Sequence, residues 1–315
     1  MARTLRILTI NLAVLLLLLA AVEGAVRLAV PEVRPNGTDR RLLADSVYGA
    51  TPGLRPHAEG TSNGARFRVN GQGFWHYTAG IAPGRPGWLL LGDSVTMGPG
   101  VDPDSTFAGR LAARLDTLNV LNPSLIGYDV HDYGAVLRTL LARDDLNLHR
   151  VTVFWCLNDA YAPATTDPNA GVRRLAGPVL TFLRRHVRTY AWLKAHLADR
   201  PRTYFEHDRR LYDGPALEAA LAGLDTLHRL ADTRGLRLEI VLLPYEYQLR
   251  RAGEPGLFHP QDVLKKHLRD IPVYDAAPFL LAHTRKPETL YLYGDGIHFS
   301  ERGHALLARF LETIP

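Results

Sequence analysis

From Trp88 onward the sequence repeats one unit: a short apolar run, a polar loop, then a helical stretch. Trp88-Leu89-Leu90-Leu91 is apolar throughout and ends at Gly92. A run without alternation buries both faces, as a strand of a parallel sheet does. Further strand candidates are Asn119–Asn122, Val151–Trp155, Leu236–Leu243 (closed by Pro244) and Pro272–Tyr274. Helical spacing predicts helices over Asp104–Leu118, with Phe107, Leu111 and Leu115 on one face, and over Tyr133–Leu146. Three more follow: Pro215–Arg234 ending at Gly235, Gln261–Arg269, and Glu301–Leu311 with Ser300 as N-cap. Strand–helix repeats of this length predict an α/β fold, a doubly wound parallel sheet with helices on both faces. A chain of 315 residues buries a large core without staples. Its one cysteine, Cys156, excludes an internal disulfide and a cysteine-built zinc site. With no His-Glu-x-x-His and no acidic cluster, no metal is expected, and no cofactor.

The N-terminus follows another pattern. Ile7–Val22 is interrupted only by Thr9 and Asn11, and Arg3 and Arg6 precede it. The run is short for a span of roughly 20 residues, and Glu23 and Arg27 interrupt its extension. A cleaved signal peptide and an uncleaved anchor both fit. The small residues near Val22 form no clean cleavage site, and the leading arginines suit an anchor with a cytoplasmic N-terminus. Either reading sends the rest of the chain out of the cytoplasm, secreted after cleavage of a signal peptide or held to the membrane by an anchor.

The expected organisation is therefore an anchor or signal segment over 1–30, a collar over 31–87, and a catalytic domain over 88–315. In the collar, Ala65–Trp75 alternates around Asn70-Gly71, which predicts a hairpin. An insertion at 160–214 breaks the strand–helix rhythm. Its centre, Val179–Leu197, has helical spacing and carries Arg184, Arg185, Arg188 and Lys194. That pattern suits a solvated basic face, or a lid or surface helix near anionic lipid or polymer. The net charge of +5 comes from dispersed arginines, since only Lys194, Lys265, Lys266 and Lys286 are lysines. Dispersed charge argues against a nucleic-acid partner.

Ligands of a doubly wound sheet bind beyond the carboxyl ends of its strands. The segments found there are Gly92-Asp93-Ser94-Val95, Asn122 to Gly127, Cys156-Leu157-Asn158-Asp159 and Asp295-Gly296-Ile297-His298. These residues suit acyl transfer. A serine hydroxyl needs a base, which His298 supplies to Ser94. Asp295, three residues earlier, can hold the other ring nitrogen and stabilise the imidazolium. The backbone N–H groups of Ser94 and Gly127 and the Asn158 side-chain amide are candidate oxyanion donors. Read singly, each segment is equally a polar turn or a helix cap, and His298 is one of 13 histidines. Order and strand-end position make the set specific. Gly98-Pro99-Gly100 lacks the Gly-Lys-Ser/Thr of a phosphate loop, and Ser94 is outside any Gly-x-Ser-x-Gly elbow. Asn36-Gly37-Thr38 matches a glycosylation sequon. Tyr245–Gln248 suits either a substrate contact or a loop with a solvated Glu246.

These four segments resemble blocks one, two, three and five of the SGNH (GDSL-like) hydrolases, in that family's chain order, from Trp88 to the C-terminus. The resemblance implies a flavodoxin-like three-layer α/β/α sandwich with a central five-stranded parallel sheet. It also implies Ser94 as nucleophile, Gly127 and Asn158 as oxyanion donors, and Asp295–His298 as the remaining pair. Arg68-Val69-Asn70 with Gly73-Phe74, before the first block, is similar to membrane-anchored bacterial members. Two positions depart from the pattern: Cys156 replaces the glycine of block three, and Val95 stands where many members have leucine.

The expected activity is a serine esterase acting on an O-acyl ester, with acetyl on a carbohydrate or envelope polymer as the substrate the resemblance suggests. An O-acyltransferase with the same triad, passing the acyl group to a sugar hydroxyl, remains open. So does a non-catalytic envelope-assembly protein on a hydrolase scaffold. Expected partners are an acylated small molecule or glycan and the membrane.

Overall fold

The computed structural model describes residues 2–160 and 170–315. The start of the expected insertion, 161–169, lies outside the described residues. An N-terminal helix, Ala2–Ala29, is exposed along its length and buries only Val26. Two small antiparallel pairs follow: β1 (Leu43–Tyr48) with β2 (Thr51–Leu54), and β3 (Glu59–Ser62) with β4 (Ala65–Arg68). Then comes the sheet, β5 (Gly87–Gly92), β6 (Asn119–Leu121), β7 (Leu148–Trp155), β8 (Arg237–Leu242) and β9 (Val273–Asp275).

The five strands are parallel, in the order β6-β5-β7-β8-β9. This is the doubly wound arrangement the apolar runs predict. Every residue of β5 is buried, because the strand is paired on both sides and covered on both faces. Burying each of Leu89, Leu90 and Leu91 contributes about 1.5–3 kcal/mol. The chain runs from β5 outward to β6 and then back past β5 to β7. The winding therefore reverses at β5, and the crevice beyond its carboxyl end is the topological switch point. At the opposite end of the strands a polar chain pins the sheet. Trp88 Nε1 donates to Thr152 Oγ1 at 2.7 Å, Thr152 donates to the buried Glu239 at 2.7 Å, and Arg150 Nε pairs with Glu239 at 2.7 Å.

Helix Pro215–Asp232 packs on helix Val130–Leu141, and Glu301–Leu311 packs on Phe107–Arg114. Ser300 caps the last helix, its hydroxyl accepting from Gly303 N at 3.2 Å. Three helix starts differ from the spacing prediction, one by only two residues, at His259 in place of Gln261. Of the other two, the first starts at Phe107, because Thr106 caps it and Pro103–Ser105 forms a 3-10 turn. The second starts at Val130, because Asp129 and Asp132 form a capping box.

The collar hairpin also differs. Its two-residue turn is Asn63-Gly64, with φ of 46° and 84°, so β4 is the second arm of the hairpin and not the first. Asn70-Gly71 instead opens a wider loop. The Asn70 Oδ1 accepts from Gln72 N and Phe74 N, both at 3.0 Å, and only Val69 and Trp75 bridge across it. This folds Phe67, Phe74 and Trp75 into the same core as the sheet. Trp75 then braces the segment after β6: its N–H donates to Asn122 O at 3.0 Å and its indole to Ser124 O at 2.9 Å.

Candidate active site

Ser94 lies two residues beyond the end of β5 and is the first residue of a short helix, Ser94–Met97. Asp93 caps that helix, its Oδ1 accepting from Val95 N at 2.8 Å. The Ser94 backbone N–H is therefore one of the helix donors left free of intrahelical bonding. Asp295 and His298 lie on a tight loop closed by a bridge between Tyr291 and Phe299. Gly294 and Gly296 take φ of 63° and 86°, which lets the chain fold back around the carboxylate.

Asp295 Oδ1 accepts three hydrogen bonds: from Ile297 N at 3.0 Å, from His298 N at 2.8 Å and from His298 Nδ1 at 2.8 Å. A carboxylate only accepts, so in the neutral imidazole the proton sits on Nδ1 and Nε2 carries the lone pair. Nε2 faces Ser94 Oγ at 2.9 Å. The two contacts align a hydroxyl, an imidazole and a carboxylate in one relay. Burial opposes the charge on Asp295, but His298 and the loop N–H groups outweigh it and bring its pKa down to about 2. Burial also opposes a charged His298, yet Asp295, helped by Asp93, raises its pKa above the ordinary histidine value. The site is thus tuned to stabilise an imidazolium.

Asn158 reaches the same site from the 3-10 turn after β7. Its Nδ2 donates to Asp93 Oδ2 at 2.9 Å, and Ser94 Oγ lies 3.3 Å from that same oxygen. One Nδ2 hydrogen is used there, and the other meets no acceptor among the described residues. The Asn158 carbonyl oxygen lies 3.1 Å from the Tyr245 hydroxyl, which also meets Asp208 Oδ2 at 2.6 Å. Asp93 is fully buried, and burial pushes its pKa up. Gly127, after β6, has φ of 86°, a conformation glycine takes without strain. Its N–H meets no acceptor among the described residues, and Gly127 is not hydrogen-bonded to the other four.

Cys156, where a glycine was expected, is buried, and burial raises its thiol well above the usual range. Asn158 keeps its place all the same. The residues after β8 do not form a loop with a solvated Glu246. Tyr245 is buried against Asn158, Gln248 accepts from Tyr245 N at 2.9 Å, and Glu246 is buried and pairs with Arg250 at 2.9 Å. Tyr245, a candidate substrate contact in the sequence, lies behind Asn158, and Asp208 carries no sequence signal of a site residue. Asp208 lies in the insertion, far in sequence from every strand-end segment, and nothing local marks it.

The insertion packs on the Asp295–His298 loop. Its helices are Ala170–His186, Arg188–Leu197 and Arg200–Asp208, and the single helix expected over Val179–Leu197 breaks at Val187. Arg200 donates to Gly294 O at 3.2 Å. A cavity of about 380 Å³ lies behind Asp295, lined by Ala195, Pro201, Glu246, Arg250 and Gly296 among others.

No known protein family matches the sequence, and no curated protein does either. Similar folds occur among solved structures. A lipolytic protein of the G-D-S-L family from Veillonella parvula is 18% identical, with a TM-score of 0.45, covering 72% of this chain and 97% of its own. A lipase/acylhydrolase from Enterococcus faecalis is 19% identical, with a TM-score of 0.39, covering 72% and 93%. A GDSL-like lipase from Bacteroides thetaiotaomicron is 10% identical, with a TM-score of 0.40, covering 72% and 85%.

Proposed function

We propose that this chain is a serine ester hydrolase of the SGNH type, acting on an O-acyl ester through Ser94, His298 and Asp295. One observation carries the reading: the unbroken relay from Ser94 Oγ to His298 Nε2 at 2.9 Å and from His298 Nδ1 to Asp295 Oδ1 at 2.8 Å. Ser94 Oγ attacks the acyl carbonyl as its proton passes to His298 Nε2. Asp295 stabilises the imidazolium that forms. The oxyanion is met by the N–H groups of Ser94 and Gly127 and by the free Nδ2 hydrogen of Asn158. His298 then returns the proton to the leaving alkoxide, and the acyl-enzyme forms. Water, deprotonated by the same nitrogen, releases the acid.

The substrate we favour is an acetyl ester on a carbohydrate or cell-envelope polymer. Its support is the resemblance of the Arg68–Phe74 stretch to membrane-anchored members. The exposed, apolar N-terminal helix, with Arg3 and Arg6 leading it, supports an anchor that holds the catalytic domain outside the cytoplasm. The test uses the purified full chain, an acetyl-ester chromophore and a fluorophosphonate probe. The expected result is turnover and labelling at Ser94, both lost in Ser94→Ala. Turnover that survives in Ser94→Ala overturns the assignment.

A further inference from the structure

The foot of the N-terminal helix does not end in open solvent. Glu23 accepts from Arg188 N and Thr189 N, both at 2.9 Å, and from Thr189 Oγ1 at 2.7 Å. Arg27 donates to His186 O at 2.8 Å. One helical end is thus bonded to the break between two insertion helices. A groove of about 230 Å³ opens at this junction, lined by Arg27, Arg34, Arg184, Arg185, His186 and Arg188. That is five guanidinium groups around one opening. The only acid paired with any of them among the described residues is Glu23, on Arg27.

Position gives this charge a meaning. The apolar run ends at Val22. Arg27 lies five residues on, about 7.5 Å farther along a helix. The headgroup layer of a bilayer is about 5–8 Å thick on each side. With the run in the hydrocarbon, the groove therefore sits at the depth of lipid phosphates. The same helix that supplies Arg184 and Arg185 leaves Val179 and Phe182 exposed, one turn apart. Apolar and basic residues on one exposed helix are what an interfacial helix presents to anionic lipid. Guanidinium forks match phosphate oxygens in geometry as well as charge.

We infer that the groove between the foot of the N-terminal helix and the insertion is a binding site for the phosphate headgroup of an anionic phospholipid. The inference rests on the anchor reading and is independent of the esterase reading. Bound there, a headgroup holds the insertion, and with it the loop carrying Asp295, at a fixed height above the bilayer.

The test uses the full chain, first in flotation with pure phosphatidylcholine vesicles and then in detergent micelles. The micelles are titrated with phosphatidylglycerol, with phosphatidylcholine or with inorganic phosphate, and bound lipid is read by native mass spectrometry. The anchor reading expects flotation with phosphatidylcholine. The headgroup site expects a preference for phosphatidylglycerol that falls about tenfold or more in Arg34→Gln/Arg184→Gln/Arg188→Gln. A control of equal type, Arg234→Gln/Arg309→Gln, is expected to keep the preference, and matching circular-dichroism melts confirm that both variants fold. A chain that fails to float overturns the anchor and the site together. A chain that floats but shows no preference, or whose triple variant keeps it, overturns the site alone. An equal loss in the control, or displacement of the lipid by millimolar phosphate, also overturns it.

Discussion

Pro201 stands against Gly296: a Cβ on Gly296 would lie 2.6 Å from the Pro201 Cβ. The insertion thus touches the middle of the loop that carries Asp295 and His298. The loop's geometry therefore depends on a segment outside the strand–helix repeats. Gly296→Ala is expected to strain the φ of 86° by about 1–2 kcal/mol and to push the loop from Pro201. A shift near 1 Å costs about 100-fold in rate. A fall of that size in kcat, partly recovered in Pro201→Gly/Gly296→Ala, is the expected outcome of steady-state kinetics.

In the proposed mechanism the raised pKa of His298 is expected to set the acid limb of the rate profile. The base form is needed for attack, so kcat/KM rises with pH through the His298 pKa. Asp295→Asn removes the main attraction that raises this pKa. The limb should move to lower pH while the plateau falls about 10⁴-fold. A limb that stays put in the variant shows that another group controls it.

Asn158 is held by Asp93 on one side and faces Tyr245 on the other, at 2.9 and 3.1 Å. Asn158→Ala should lower kcat about 100- to 1000-fold with little change in KM, as the loss of an oxyanion donor does. Tyr245→Phe leaves the amide but loosens it, and a smaller fall of about tenfold is expected. Ser94 labelling by fluorophosphonate should persist in Tyr245→Phe, which separates a positioning role from a collapsed site.

Glu23 supplies the cap that helix Arg188–Leu197 lacks, since Val187 has no capping side chain. Glu23→Gln should weaken this helix start by about 1 kcal/mol. Hydrogen exchange on the full chain in micelles should then speed up at the start of that helix and remain unchanged in β5.

His304 is buried between Phe107 and Phe299, and burial brings its pKa down to about 3. The unfolded chain binds this proton near pH 6.5, so stability falls as pH drops from there toward 3. The slope is about 1.4 kcal/mol per pH unit below 6.5. Asp295, with its pKa down to about 2, holds its contribution until pH falls below about 4, and the raised His298 contributes fully below 6.5. Between pH 6.5 and 4.5 the buried Asp93 and Asp159, whose pKa values burial raises, act in the opposite sense, so the His304 part is read as the difference between the denaturant melts of the wild type and His304→Gln. His304→Gln keeps an acceptor for Phe107 N–H and should lose less stability than the wild type as pH falls across this window.

Much of the architecture was legible because its signals are local. A continuous apolar run such as Trp88–Leu91 is a strand buried on both faces, and Ser300 before Glu301 marks a helix start by its own hydroxyl. Where two local signals of equal strength compete, the reading slips. Asn63-Gly64 and Asn70-Gly71 both announce a hairpin, and only the packing of Phe67, Phe74 and Trp75 selects the first. Helix starts slipped at Thr106 and Asp129 for a related reason, since a cap a few residues off the apolar stripe decides the boundary.

By itself, the sequence determined most of the strand–helix order, the apolar N-terminal helix, and the chemical types of Ser94, Gly127 and Asn158 beyond strand ends and of Asp295 and His298, which stand not after the last strand, as expected, but on a loop beyond helix Ala276–His283. Each follows from residues within a few positions of one another, where backbone preference and side-chain period act directly. Only the tertiary structure decided that His298 Nε2 meets Ser94 Oγ across 204 positions of chain. It alone joined Asp208 through Tyr245 to Asn158, Pro201 to Gly296, and Glu23 to the start of the insertion helix at Arg188. These are contacts between segments that share no periodicity. Their partners are chosen by which surfaces remain after the core has packed, and that choice is written in no local stretch of residues.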